Sequence, residues 1–187
     1  HTKELALRAS QEFDPDLVSV GMVSSSIYGP TLELMDFKQL QWAGHGVGEN
    51  QPYQYLDREY MSNDEYDDFL GDPTGFYLRR YLPRIGGAFA GLAEMPVLPG
   101  MHYFRLVAGL RGFAKPGVKE ALQNLIKVAE EAEVMAGHNG DFARRVTELG
   151  YPRDAGGNTV SPYDFVADYF RGARGMMTDL FRKKDGT

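Results

Sequence analysis

Cysteine is absent from the 187 residues of this chain, which excludes disulfides and every thiolate metal site within it. No apolar run approaches the ~20 residues that a membrane-spanning helix needs. The N-terminal stretch, HTKELALRASQEF, has no apolar signal core and begins directly with helical periodicity. Positive charge is scarce too: 20 lysines and arginines face 26 acids, for a formal charge of −6. That balance argues against a nucleic-acid surface. The nearest thing to a basic patch, Arg182-Lys183-Lys184, reads as a solvated helix end. The hydrophobic and charged fractions, 43% and 25%, are those of a soluble globular protein with a real core. A cytoplasmic protein is the default expectation.

What is present reads as helix-rich α/β. Leu5, Ala9 and Phe13 set a four-residue period through Thr2–Phe13, and Asp14-Pro15 stops it. Leu17–Val23 is a short apolar run of the kind found in buried parallel strands. Lys38–Pro52 is glycine-rich and irregular, and Tyr53–Tyr60 alternates as a strand or extended segment does. Ser62 and Glu65 have capping-box spacing, and Asp72-Pro73 is a second helix start. Pro83 should break or kink the helix that follows. Met95–Pro99 reads as a second strand. Pro116 opens a helix whose stripe is Val118, Leu122, Leu125, Ala129 and Ala132, and Gly137-His138-Asn139-Gly140 reads as a turn, with Asp141 capping the next helix. Ser161-Pro162 starts the last one. Two or three strands are too few for a closed eight-stranded barrel, which typically needs ~250 residues.

Several residues invite a functional reading, each beside a plainer one. His102 and Tyr103 follow the Met95–Pro99 strand, where barrel active sites lie. They could orient a carboxylate, or simply pack a helix start. Ser24, Ser25, Ser26 and Tyr28 hold the same place after the first strand and could bind an anion, though small polar residues are ordinary loop formers. Trp42–Glu49 lacks the glycine spacing of a phosphate cradle, and His45 with Glu49 gives too few ligands for a metal. Asp164, Asp168, Arg171 and Arg174 share a ridge of the last helix. Arg171 and Arg174 could grip a substrate carboxylate, or form structural ion pairs. The opposite stripe, Phe165, Tyr169, Gly172, Met176 and Leu180, reads as buried.

Glu59-Tyr60-Met61, Asp64-Glu65-Tyr66-Asp67, Asp72-Pro73, Tyr81-Leu82-Pro83-Arg84, Gly137–Phe142, Gly150-Tyr151-Pro152 and Pro162-Tyr163-Asp164-Phe165 with Arg171-Gly172 stand in a telling order. Together with the Trp42–Gly46 loop, they make the chain resemble the uroporphyrinogen decarboxylase superfamily, in its anaerobic branch related to corrinoid-dependent methyltransferases. The resemblance implies a segment, residues 1–187, of a (β/α)8 TIM barrel about twice as long. It also implies a parent enzyme acting on tetrapyrroles or on methyl groups carried by a corrinoid, with zinc in some relatives. The decarboxylases' arginine-rich arm has no counterpart here, nor has the H-x-C zinc pair of the methyltransferases. The expectations are therefore no cofactor within this segment, no identifiable catalytic residue, and no activity alone. Three readings remain: methyl transfer in the parent, tetrapyrrole decarboxylation, and a non-catalytic assembly or cofactor-docking module. The expected partners are the rest of the barrel or a second copy as a homodimer, and a corrinoid protein.

Overall fold

A computed structural model describes residues 2–19, 29–98, 102–153 and 160–181. The chain gathers into two compact units, His1–Leu34 with Ile126–Thr159, and Met35–Leu125 with Val160–Thr187. It is helix-rich with one small mixed sheet. Among the described residues no helix is long and apolar enough to cross a membrane.

In the first unit, α1 (Thr2–Phe13) buries Leu7 beside Val18, Phe142 and Val146. Lys3 pairs with Asp141, and Arg145 holds Glu4 through both carboxylate oxygens. Of the Leu17–Val23 run, Val18 makes an isolated parallel bridge to Arg153, its N–H donating to Pro152 O at 3.0 Å, while residues 20–23 lie outside the described ones. A short helix, α2 (Gly29–Met35), follows.

The second unit holds the sheet, β1 (Leu40–Ala43), β2 (Gly46–Val47) and β3 (Gln54–Tyr55), in the order β2-β1-β3. β1 and β2 lie where the sequence reads as irregular, and β3 lies in the stretch that reads as a strand or extended segment. Gly44 and Gly46, at φ 78° and 92°, let the chain turn between β1 and β2. Trp42 and His45 stack across that turn, with ring centroids 4.6 Å apart.

Helix starts fall where the capping residues sit. Ser62 N donates to Glu65 Oε2 at 2.9 Å ahead of α3 (Tyr66–Gly71). Asp72 Oδ1 accepts from Gly75 N at 2.8 Å and starts α4 (Pro73–Phe76). A π turn, Tyr77–Tyr81, joins α4 to α5 (Leu82–Ile85), so the helical path continues through Pro83 instead of breaking there. Proline clashes with the carbonyl four residues back, and the wider π turn just before Pro83 relaxes that crowding. A 3-10 stretch, Gly87–Glu94, follows. A Cβ added to Gly91 would lie 2.0 Å from Gly117 O, so here two backbones touch.

Met95–Leu98 forms no strand, which corrects the sequence expectation. Met95 N closes a turn onto Leu92 O, Pro96 offers no N–H, and Val97 faces solvent. Next come α6 (Tyr103–Leu110), a 3-10 turn Arg111–Ala114, and the 33-residue α7 (Pro116–Glu148). Gly137–Gly140 is helical and not a turn, and Asp141 lies inside α7 instead of capping a new helix. Met135, Phe142 and Val146 are buried at spacings of seven and four, and that apolar face carries the helix through two glycines costing ~1 kcal/mol each. Val118 and Ala121 are buried, whereas Ala129 and Ala132, expected on the same stripe, are exposed.

The last helical segment starts at Ser161, whose Oγ accepts from Asp164 N at 3.1 Å. It runs as α8 (Pro162–Val166), a second π turn Ala167–Arg171, and α9 (Gly172–Phe181). It is broken at Gly172, with φ 65° and ψ 166°. The expected stripe is therefore split: Phe165, Tyr169 and Met176 are half-buried, Gly172 is buried, and Leu180 is exposed. The buried position is Phe170, whose ring lies 4.6 Å from that of Tyr81 and 5.1 Å from that of Phe69, in a core shared with Tyr60, Met61, Phe76 and Ile85.

Candidate functional site

The break at Gly172 leaves carbonyls at the end of the π turn without helical partners. Two of them are taken up elsewhere. Phe170 O accepts from Tyr60 N at 2.7 Å and Met61 N at 2.8 Å. Tyr169 O accepts from Gln39 Nε2 at 2.9 Å and from the Tyr81 hydroxyl at 3.0 Å. On the other side of the break, Ala173 N donates to Asp57 Oδ1 at 2.9 Å. The segment 57–61 is thus stitched to both halves of the last helix.

Beside this seam lies Arg171, with only 3% of its side chain exposed. Its Nε and Nη2 donate to the two oxygens of Asp179 at 2.6 and 2.9 Å. Its Nη1 donates to Glu59 Oε2 at 3.0 Å and also to Met61 O. The Asp179 hydrogen bonds, ahead of the opposing effect of burial, push the guanidinium further above its ordinary range. The Tyr66 hydroxyl donates to the same Asp179 at 2.9 Å, and burial, then that carboxylate, raises the phenol to about 12. Every nitrogen of Arg171 is engaged, so a substrate carboxylate would have to displace one of the chain's own.

A second network shares the Glu59–Tyr66 stretch. Glu65, 5% exposed, accepts from both terminal nitrogens of Arg84 at 2.7 Å, from Arg80 at 2.8 Å and from Ser62 N. Arg84 also donates to Tyr60 O at 2.7 Å. The Arg84 hydrogen bonds lead in holding the Glu65 carboxyl down at about 2, against an ordinary 4.5, while burial opposes them. A carboxyl whose folded pKa lies below its unfolded value contributes stability above the unfolded pKa and loses it as pH falls through the folded one. The parent's melting temperature should therefore drop between about pH 5 and pH 2. Glu65→Gln should melt lower at pH 7 but show a flatter profile across that window. Parallel profiles would mean that Glu65 does not carry the acid sensitivity.

The other candidates are not brought to this seam. Arg174 is exposed on α9, and the ridge of Asp164, Asp168 and Arg171 yields no pairing among them. His102 and Tyr103 stack on each other, centroids 4.9 Å apart, at the exposed start of α6, and the strand expected before them is absent. Ser24, Ser25, Ser26 and Tyr28 lie outside the described residues. A pocket of about 210 Å³ in the first unit is lined by Glu4, Arg8, Arg145 and Glu148, with Glu4 and Arg145 already paired.

Asp179 and Arg84 escape a reading of the sequence by spacing. Arg171 and Asp179 stand eight residues apart, about 12 Å along an unbroken helix, too far for a bidentate pair. The fold-back at Gly172 closes that gap. The one available signal is glycine directly after Arg171.

Among the described residues no group of three His, Cys, Asp or Glu stands together in a way that could hold a metal ion. The zinc set that the resemblance implies therefore has no fit among them, and cysteine is missing from the chain. No family model, curated protein or solved structure matches this chain.

Proposed function

We propose that this chain is the scaffold part of a uroporphyrinogen-decarboxylase-like enzyme whose parent transfers a methyl group to or from a corrinoid. One observation supports the reading. Four of the short motifs that carry the resemblance, all in the second unit, are spatial neighbours. Glu59-Tyr60-Met61 meets Arg171-Gly172, and Glu65 meets Arg84. Their ion pairs and seam bonds hold a helical layer together, a structural task that a barrel segment would share with its relatives. The reacting groups and the corrinoid contacts belong, on this reading, to other parts of the parent.

Tetrapyrrole decarboxylation is the weaker alternative. It needs buried arginines with free donors for acetate side chains, followed by protonation of a carbanion-like state. Arg79, Arg80, Arg84 and Arg171 are each bound to carboxylates of this chain. The test is to incubate the purified chain with methylcobalamin and a thiol acceptor, and separately with a uroporphyrinogen. No turnover is expected in either case. Turnover at about 1 per second or faster, an ordinary enzymatic rate, would overturn the scaffold reading. Porphyrinogen turnover would move the assignment to the decarboxylases.

A further inference from the structure

One face of the small sheet is aromatic and open. Tyr55 stands opposite Leu40 in the β1–β3 register, and Tyr53, two residues earlier, shares its face. The two phenol rings meet nearly at right angles, 87° apart with centroids at 5.7 Å. They are 51% and 53% exposed. Together they make a corner with two aromatic walls.

The π turn Ala167–Arg171 adds to that corner. Gln39 O accepts from Leu56 N at 2.9 Å, and Gln39 Nε2 donates to Tyr169 O at 2.9 Å, so one residue holds both the end of β3 and the π turn. Burial, then the phenols of Tyr169 and Tyr53, and last the Asp168 carboxylate, raise the Tyr55 phenol above its ordinary range. Tyr169 and Asp168 therefore stand near the Tyr55 ring. Asp168 is exposed and forms no ion pair among the described residues. No lysine or arginine occurs between Lys38 and Arg58. The neighbouring amides of Gln51 and Gln54 are bonded to backbone. Single π turns inside helices recur at functional sites.

From these rings and this charge we propose that Tyr53, Tyr55, Tyr169 and Asp168 bind a methylated ammonium group. The faces of phenol rings are negative and attract a cation. A quaternary ammonium donates no hydrogen bond and is less strongly hydrated than the compact lysine ammonium, so rings with one carboxylate suffice for it. An anion would meet Asp168, and a neutral sugar would leave that charge unused. The proposal concerns binding alone and stands apart from the enzyme reading.

Titration of the isotope-labelled whole chain with choline, followed by nuclear magnetic resonance, tests it. Saturable shifts at Tyr53 and Tyr55 are expected, with a Kd on the order of millimolar, as suits an exposed cation–π site. Choline's uncharged carbon isostere, neohexanol, should bind about tenfold more weakly. Tyr53→Leu should weaken choline about threefold, whereas Tyr55→Phe, which keeps the ring, should bind as the parent does. Asp168→Asn, at an exposed position, should also weaken it about threefold at low salt, and the difference from the parent should close at about 1 M salt. Three results would each overturn the proposal: no saturable shift at these tyrosines up to about 50 mM choline, equal affinity for neohexanol, or a Tyr53→Leu, Asp168→Asn protein that binds as the parent does. A trimethyl-lysine peptide that binds more tightly than choline, with its unmethylated form as control, would support the site and name a protein tail as the source of the cation. A peptide no tighter than choline would support the site with a free small cation as its ligand.

Discussion

Arg171→Met is expected to destabilise the second unit by about 3–5 kcal/mol, the usual result of removing one partner from a buried ion pair. The side chain's size is nearly kept, so the loss is electrostatic. Asp179, 15% exposed, would lose both hydrogen bonds from the guanidinium while its carboxylate stays charged beside the Tyr66 hydroxyl, and Met61 O would lose the Arg171 donor. Urea unfolding followed by far-ultraviolet circular dichroism reads the change. Adding Asp179→Asn should recover part of the loss, since the stranded charge is then gone. If Arg171→Met unfolds at the parent's urea midpoint, the ion pairs at this seam hold nothing together.

Gly172→Leu comes next in size. A Cβ at this position would lie 2.7 Å from Asp57 Oδ1 and 3.1 Å from the Arg58 backbone oxygen. The positive φ is strained for any L-residue, at about 1–3 kcal/mol, and overpacking adds ~1–3 kcal/mol more. Gly172→Ala should show most of the first contribution and less of the second. Gly137→Ala serves as the contrast: its site lies inside α7 with nothing within 4 Å, so alanine should raise stability by up to ~1 kcal/mol. A Gly172→Leu protein that melts at or above the parent temperature would mean that the helix does not need its break.

These two residues also show how far the sequence could be read. Gly172 is legible as a close-approach point, but for an incomplete reason. A glycine in mid-helix suggests tight packing, whereas here it also carries a backbone turn that redirects the helix. Helix starts are legible because their chemistry is local: Asp72 and Ser161 cap through their own side chains. The strand expected at Met95–Pro99 fails because apolar character alone cannot supply a pairing partner, and Pro96 removes a donor. The turn expected at Gly137–Gly140 fails for the opposite reason: buried side chains on either side outweigh a local preference. Arg171 and Glu65 were visible as charged residues, but their partners come from segments 112 and 19 residues away. No periodicity within one helix reports such distances. The barrel, the corrinoid and the methyl transfer rest on resemblance.

The two π turns have a consequence for comparing this chain with others. Each fits one more residue into a turn than an α-helix holds, so the residues beyond it are rotated by about 100°. Tyr77–Tyr81 and Ala167–Arg171 therefore behave as single-residue insertions hidden inside helices. A related protein without them would need a one-position gap in the middle of a helix before Arg84 or Gly172 found its counterpart. Aligned without that gap, two chains with the same seam would present different residues at every position that forms it.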